Sequence, residues 1–297
     1  MELYLEAFFA WLGDVSTNTR RTYTNDLRHF SRWFEAQHGQ PPELADLTTM
    51  TVVLYKAALV DKLRLKPSSV KRRLLTLKRF CRWAAEQGYI KELPAKGVKI
   101  PPVPPSGPRS LDRAAVRALL RAARRDPHKL ARRNYAILRV LLDTGIRVGS
   151  LVALRLGDIR WTEKRRKATL RVLYGKGKRS NTIPLPYTTR AALEDYLAVR
   201  PASGDDHLFL SSRGTALDTD TVRHVINKYA RQAGLDPGEV SPHMLRHTLA
   251  RMLLANGSPL TEVQAILGHA HITSTAIYTQ PSEEEKANAL ERAAEEF

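Results

Sequence analysis

The residues of this chain that indicate chemistry rather than architecture lie in one stretch, which reads Ser241-Pro-His-Met-Leu-Arg-His247, then Leu267-Gly-His269, then Ile277-Tyr278. Proline is favourable at the first position of a helix, so the stretch predicts a helix that begins just after its serine. His243 and Arg246 are spaced i, i+3 and leave the same face of that helix. This face therefore offers a cation and hydrogen-bonding groups.

A second helix is predicted to follow the first. Ser258 is its expected N-cap, Pro259 its first helical residue, and Gly268 its end. His269 then lies just past a helix C-terminus, and Tyr278 follows nine residues later on another predicted short helix. The stretch thus places one phenol, two imidazoles and one guanidinium near one another.

These four groups suit one kind of substrate. A guanidinium makes paired hydrogen bonds to phosphate, an imidazole moves protons near neutral pH, and a tyrosine oxygen can act as a nucleophile. Together they point to a phosphodiester. Taken singly, His243 and His269 are better explained as structural histidines, and Tyr278 as a half-buried aromatic; the combination favours the chemical interpretation.

The charge of the chain points to a polyanionic partner. Its 297 residues carry 48 Lys and Arg against 30 Asp and Glu, a formal net charge of +18. Such a surplus predicts binding to nucleic acid that depends strongly on salt. A general bias toward arginine is the alternative.

The N-terminus and the cysteine content predict a cytoplasmic protein without disulfides. Met1-Glu-Leu-Tyr-Leu-Glu6 carries acid where a signal peptide carries basic residues, and no apolar run reaches the length of a membrane span. Cys81 is the single cysteine, which excludes an internal disulfide and argues against a cysteine-based zinc site. The sequence contains no motif for a metal or a cofactor, and we expect neither.

The first hundred residues predict helices joined by short turns. One helix follows Ser16 or Thr17, and a third follows Thr48 or Thr49. The fourth combines an apolar stripe with a crowded basic surface, formed by Lys71, Arg72, Arg73, Lys78, Arg79 and Arg82. No acid within this run offsets the charges, so a phosphate backbone is the expected partner, with a solvated face as the alternative.

A proline-rich segment separates two predicted domains. Five prolines fall within the eleven residues 98–108, which predicts a stiff, extended linker rather than a loop inside one domain. We therefore expect a helical domain over 1–97, a linker over 98–109 and a second domain over 110–297 that ends in an acidic tail helix over 282–297.

The second domain is predicted to combine helices with a small sheet. A helical pattern over 111–142 leads into Asp143-Thr-Gly-Ile-Arg147, where the glycine ends the helix. Three β-rich segments follow, roughly 158–161, 168–174 and 181–185. Between the last two lies Gly175-Lys-Gly-Lys178, which lacks the spacing of a nucleotide-binding loop. A further basic helix is predicted over 219–232.

The motif His243-x-x-Arg246, with Leu267-Gly268-His269 and Tyr278 after it, resembles the C-terminal signature of the tyrosine recombinases, the lambda-integrase family. The resemblance covers nearly the whole chain and is greatest to Xer-like recombinases and simple integrases. It implies a mainly α fold with a small antiparallel β-sheet. It also implies a four-helix, SAM-like core-binding domain that forms a clamp around DNA with the catalytic domain.

The resemblance implies a catalytic role for six residues. They are Tyr278 as nucleophile, His243 as general base, Arg147 and Arg246 as phosphate ligands, Lys176 as proton donor to the leaving oxygen, and His269 as a further phosphate contact.

Two positions depart from the family pattern. Ser150 stands where the family usually has an acid, so the carboxylate that orients the site is absent or supplied elsewhere. Asn181 stands where a basic residue usually follows, and Lys178 is a rival to Lys176.

The implied partner is double-stranded DNA, cut and rejoined through a 3′-phosphotyrosyl bond and a Holliday junction. Arg223 and Lys228, on the helix over 219–232, are expected at the major groove. A homotetramer on paired sites, or a heterotetramer with a related recombinase, is the implied assembly. In it the tail packs onto a neighbouring protomer, with docking on its own domain as the alternative. A type IB-like topoisomerase and a non-catalytic DNA-binding protein are the other functions open to this fold.

Overall fold

The computed structural model of the chain describes residues 2–94, 96–102, 109–162, 166–174, 179–268 and 291. The chain divides into two compact units, Met1–Pro105 and Ser106–Phe297. The division falls within the stretch 98–109 that the sequence predicts as a linker. Within the described ranges, no helix has the length and apolar character needed to span a bilayer.

The N-terminal unit contains four described α-helices, namely α1 (Leu5–Leu12), α2 (Thr17–His38), α3 (Thr49–Ala57) and α4 (Pro67–Glu86), with a π-helical turn over Ala58–Lys62. Local capping explains where they begin. The side chain of Ser16 accepts a hydrogen bond from the backbone N–H of Thr19, and Thr48 does the same for Thr51. Pro67 takes the first position of α4. The predicted starts of α2 and α3 are confirmed.

The core of the N-terminal unit is largely aromatic. Phe8 meets the edge of Phe80 with ring centroids 5.2 Å apart, and both are fully buried. Burying a side chain of this size stabilises the fold by about 1.5–3 kcal/mol. Val98 and Ile100 also pack against this core. The apolar residues just before the first linker proline therefore contribute to the N-terminal unit.

The second unit contains seven described α-helices, namely α5 (Arg113–Arg125), α6 (Ala131–Thr144), α7 (Val148–Ala153), α8 (Tyr187–Leu197), α9 (Thr219–Gln232), α10 (Pro242–Ala255) and α11 (Leu260–Leu267). Helix α6 is the central one. Its residues Ile137, Leu138, Val140 and Leu141 are all buried, so a broad apolar side of the helix faces the core. It packs against α5, α7, α8, α9 and α10.

Three antiparallel strands form one sheet in the order β1-β2-β3, with β1 at Ile159–Trp161, β2 at Ala168–Tyr174 and β3 at Arg179–Pro184. Leu170 in the middle strand pairs with Ile159 on one side and Ile183 on the other. All three side chains are buried against the helices. The mainly α fold with a small antiparallel sheet is thus confirmed.

The first and third strands differ slightly from their predicted bounds. The first begins at Ile159 rather than 158, because Asp158 closes a short 3-10 turn by accepting a hydrogen bond from the backbone N–H of Arg155 at 2.9 Å. The third begins at Arg179 rather than 181, because Ser180 and Arg179 also pair with β2, opposite Leu173 and Tyr174.

Candidate active site

Arg147, His243 and Arg246 come together at the C-terminal end of α6. Arg147 is the N-cap residue of α7, two positions after the glycine that ends α6. His243 and Arg246 lie in the first turns of α10, which Ser241 caps with its side chain. The charges of both arginines act on the imidazole of His243. The predicted face of α10 is formed, and Arg147 lies beside it.

The guanidinium of Arg246 is buried, with 3% of the residue exposed. Its Nη1 donates to the carbonyl of Gly145, and its Nη2 donates to the carbonyl of Leu267 at 2.8 Å. The last carbonyls of a helix lack partners within the helix. Arg246 therefore joins the end of α6 to the end of α11.

Gly145 is the most restricted of the glycines assessed within the described ranges. Its φ of +61° is in the left-handed region, which glycine adopts without strain. A Cβ atom would lie 2.6 Å from Cδ2 of Leu267 and 3.0 Å from Cδ2 of Leu249. Both the backbone conformation and the packing of α10 and α11 therefore require glycine here.

His243 is tuned toward its neutral form. Its pKa is lowered from the ordinary value of 6.5 by desolvation, then by the charges of Arg246 and Arg147. A histidine with a lowered pKa is neutral at pH 7 and can accept a proton. The ring is partly exposed, so a substrate can reach it. This environment suits a general base.

His247 is a site residue that the sequence analysis missed. Its ring meets His243 edge to face with centroids 5.4 Å apart. Desolvation and the charges of His243 and Arg246 lower the pKa of His247 to about 4. The i, i+4 spacing from His243 on one helix would have indicated this contact.

The carboxylate closest in sequence to Arg147 is that of Asp143. Burial raises its pKa, against the effect of Arg139, whose guanidinium lies 2.7 Å from the carboxylate. Thr189 also donates to Asp143. The carboxylate of Asp143 is thus bound by Arg139 of α6 and Thr189 of α8. Ser150, which stands where the family usually has an acid, is half-buried in α7.

The C-terminal end of α11 is held by two side chains from other elements. Besides the bond from Arg246, Asn181 of β3 donates from Nδ2 to the carbonyl of Ala265 at 2.7 Å. The sheet and α10 thus converge on the last turn of α11. Gly268 then ends the helix in the left-handed conformation, as predicted.

The start of α11 differs from the prediction. Ser258 was the expected N-cap, but the N-cap is Pro259, whose carbonyl accepts from the backbone N–H of Val263 at 3.2 Å. Pro259 has an extended ψ of 146°, so it lies outside the helix rather than at its first position. The Ser258 assignment is therefore wrong.

Three predicted site residues, Lys176, His269 and Tyr278, lie outside the described residues, as does nearly all of the predicted tail helix over 282–297. For Lys176 and His269, nearby elements of the chain are described. Strand β3 begins three positions after Lys176, and Gly268 immediately precedes His269. Because Asn181 joins β3 to α11, the elements next to Lys176 and His269 in sequence contact each other.

The basic face of α4 has an acidic partner that the sequence analysis did not foresee. Arg72 donates to the buried carboxylate of Asp26 in α2, and Nε of Arg73 lies 3.9 Å from its other oxygen. Arg79 donates to the hydroxyl of Tyr23 at 3.2 Å. An acid from another helix therefore offsets part of the charge of this run, and contact of the basic face with DNA stays a prediction.

Exposure separates the basic residues of α4. Lys71, Arg72, Arg79 and Arg82 are exposed, whereas Arg73 and Lys78 are half-buried. The exposed members remain available to a phosphate backbone, whereas the half-buried ones have less surface to offer.

The two basic residues predicted for the major groove also have intramolecular partners. Arg223 donates to Asp220 one turn earlier in α9, and Nζ of Lys228 lies 2.6 Å from the carboxylate of Asp126. Burial alone would raise the pKa of Asp126, but hydrogen bonds from Lys228 and Tyr229 outweigh it and lower the pKa to about 2. Lys228 therefore has a structural role, and contact with DNA stays a prediction for both residues.

One group of potential metal ligands occurs within the described ranges. Ligand atoms of Asp205, Asp206 and His207 lie within 4.8 Å of one another. Each acid has a protein partner, since Asp205 lies 2.5 Å from Nδ1 of His207 and Asp206 pairs with Arg155. These contacts explain the cluster without a cation.

Comparison with known proteins assigns both units. Residues 109–285 match the family model described as the phage integrase family, and residues 5–88 match the phage integrase N-terminal SAM-like domain. Tyrosine recombinase XerD of Proteus mirabilis is 34% identical over 289 residues, covering 96% of this chain and 89% of that protein. Tyrosine recombinase XerC of Corynebacterium efficiens is 32% identical over 280 residues, covering 94% and 86%.

Solved structures share the fold at lower identity. XerH site-specific recombinase, in a post-cleavage complex with palindromic difH substrate, has a TM-score of 0.74 at 20% identity and covers 93% of this chain and 79% of that chain. A lambda integrase tetramer bound to a Holliday junction has a TM-score of 0.70 at 20% identity, with coverage of 95% and 79%.

Proposed function

This chain belongs to the phage integrase family of tyrosine recombinases, and on that premise we propose that it cuts and rejoins DNA at specific sites through a phosphotyrosyl intermediate. Recombination between paired sites then passes through a Holliday junction.

Cleavage begins with the phenol of Tyr278. Its oxygen attacks the scissile phosphorus and forms the P–O bond of a 3′-phosphotyrosyl link, while the bond from phosphorus to the 5′ oxygen breaks. A phenol has an ordinary pKa of about 10, so the attack at neutral pH needs a base. His243 takes the phenol proton, and its lowered pKa keeps it in the neutral form that this step requires.

Arg147 and Arg246 stabilise the phosphorane. The charges of both arginines act on the imidazole of His243. The phosphate must lie next to this imidazole if the histidine is to assist the attack. Electrostatic donors of this kind typically contribute about 3 kcal/mol each to the transition state. The bonds from Arg246 to two carbonyls fix its position before DNA arrives. This grouping of Arg147, His243 and Arg246 is the observation that carries the proposal.

Lys176 donates the proton to the departing 5′ oxygen, and His269 binds the phosphate. These two roles rest on the family motifs at 175–178 and 267–269. The contact between Asn181 and Ala265 supports them, because it joins the elements that flank the two residues in sequence. Rejoining reverses the sequence, with a 5′ hydroxyl from the other duplex as the attacking group. The phosphotyrosyl bond conserves the energy of the original bond, so no cofactor is required.

The proposed partner is double-stranded DNA. The net charge of +18 and the exposed basic residues of α4 support this.

Four protomers on two paired sites form the proposed assembly, either as copies of this chain or together with a related recombinase. The cytoplasm is the proposed compartment.

A nicked suicide substrate tests the proposal. Wild-type protein in EDTA should form a covalent adduct that survives a denaturing gel, and Tyr278→Phe should abolish it while leaving DNA affinity within about twofold, because only the nucleophilic oxygen is lost. Tyr187→Phe is the matched control, since Tyr187 is an exposed tyrosine of the same unit and should keep the adduct. An adduct in Tyr278→Phe, or a wild-type adduct that requires magnesium, would contradict the mechanism.

A further inference from the structure

The hydrogen bond from Asn181 to Ala265 joins two elements that the family motifs do not connect. Asn181 pairs across the ladder with Val172 of β2, two register positions before the ladder ends at Tyr174 and Arg179. Its amide Nδ2 lies 2.7 Å from the carbonyl of Ala265 and 3.5 Å from that of Ile266. One side chain therefore connects the far end of the β2–β3 ladder with the last turn of α11.

The two sides of this contact are anchored unequally. The end of α11 keeps the bond from Arg246 to Leu267, and the side chain of Leu267 is fully buried. On the ladder, Val172 is buried, but Leu173 is 59% exposed and Ser180 is exposed as well. Loss of the Asn181 bond should therefore leave α11 in place and release the end of the ladder.

We propose that Asn181 is a positioning residue for proton delivery to the leaving oxygen. It holds the end of the β2–β3 ladder against the C-terminal turn of α11, and so fixes the last ladder pair, Tyr174 and Arg179, which flanks Lys176 in sequence. The inference rests on the proposed function, in which Lys176 supplies that proton. A short amide suits the role, since it donates to a helix-end carbonyl without adding charge beside Arg246.

The test separates proton delivery from every other step by changing the leaving atom. In a substrate with sulfur in place of the bridging 5′ oxygen, phosphorus–sulfur cleavage releases a thiolate. Thiols are far more acidic than alcohols, so this leaving group needs no proton from the enzyme. A variant that is impaired only in proton delivery should regain its rate on the sulfur substrate.

Asn181→Asp is the informative variant, because it keeps the size of the side chain while replacing the donor with a carboxylate oxygen. Thr182→Ala is the control, since Thr182 is exposed and points to the other face of the strand. We expect Asn181→Asp to cleave the ordinary substrate about tenfold more slowly than wild type and the sulfur substrate within about twofold of it. Thr182→Ala should match wild type on both, and circular dichroism melts should show that both variants fold.

Equal slowing of Asn181→Asp on the two substrates, or no slowing on either, would overturn the inference. Lys176→Ala is run alongside. If it is rescued by sulfur while Asn181→Asp is not, the lysine assignment stands and the inference fails. If Lys176→Ala is not rescued, the lysine assignment fails and the inference falls with it. A wild-type protein that forms no adduct on either substrate would instead refute the proposed function.

Discussion

Arg246 on α10 donates a hydrogen bond to the backbone carbonyl of Gly145, 101 positions earlier in the chain. The donor is the side chain that we assign to the scissile phosphate. The acceptor belongs to the glycine that ends α6 and lies two positions before Arg147, the other proposed phosphate ligand. Backbone geometry at Gly145 therefore bears directly on the position of a guanidinium that we propose to be catalytic.

Gly145→Ala should lower both stability and cleavage. The left-handed φ costs a non-glycine residue about 1–2 kcal/mol, and overlap with Leu267 adds a similar amount, so we expect a loss of about 2–4 kcal/mol in the free energy of unfolding. Urea denaturation measures the loss.

Gly149→Ala is the matched control for Gly145→Ala. Gly149 lies within α7, where a Cβ would meet nothing within 4 Å. Alanine favours a helix over glycine by about 1 kcal/mol, so this variant should be neutral or more stable. A Gly145→Ala protein as stable as Gly149→Ala would contradict the packing described for the end of α6.

Arg147→Gln should raise the pKa of His243 in the DNA-free protein. The charge of Arg147 is one of three causes that lower this pKa, after desolvation and Arg246, so its removal moves the value back toward 6.5. An NMR titration of the histidine ring protons measures the change without relying on activity. The pKa of His29 should not move, because the charges that affect it come from neighbours such as Arg73 in the N-terminal unit. An unchanged His243 titration would show that Arg147 is not part of this site.

Arg79→Ala and Arg72→Ala should separate DNA contact from folding. Both side chains are exposed, but Arg72 holds the buried carboxylate of Asp26, whereas Arg79 meets a tyrosine hydroxyl. We expect each variant to lower the salt slope of binding by about one unit, and only Arg72→Ala to lose about 1–2 kcal/mol of stability. Fluorescence anisotropy over a range of salt concentrations, with denaturant melts, gives both quantities. An unchanged salt slope for both variants would show that the basic face of α4 is solvated and does not contact DNA.

Local rules explain what the sequence could predict. A capping hydroxyl such as Ser16 or Ser241 acts on a backbone N–H only three residues away, so helix starts follow from short patterns. The glycines that end α6 and α11 are equally short-range signals, because each acts at its own position in the chain. The same reasoning failed at Ser258, because Pro259 supplies the first helix carbonyl itself.

Contacts between segments that are distant in sequence could not be predicted from these local rules. Asp26 meets Arg72 across 46 positions, and Asn181 meets Ala265 across 84. Neither pairing leaves a periodic pattern, since each depends on how whole helices and strands pack. The acceptors of Arg246 were also hidden, because backbone carbonyls are present at every residue and only the fold selects Gly145 and Leu267.

Deleting Glu283 to Phe297 should spare binding of one protomer to a half-site and reduce cooperative pairing and complete strand exchange. The sequence places six glutamates and a narrow apolar stripe in this tail, which suit a basic neighbour rather than DNA. Native gels with one and two half-sites measure pairing, and adduct formation on a single half-site is the control for an intact active site. A truncated protein that pairs and recombines like the full chain would show that the tail does not dock on a neighbour.

The bond pattern of Arg246 also has a consequence for local unfolding. Its two carbonyl acceptors belong to different helices, so opening of α11 alone deprives a buried charged donor of one partner. Such a loss costs about 1–3 kcal/mol, which suppresses independent fraying of this short helix. The ends of α6 and α11 are therefore expected to open as one cooperative unit. The helix that precedes the proposed nucleophile in sequence is thus kept folded by the same cation that is proposed to bind the phosphate.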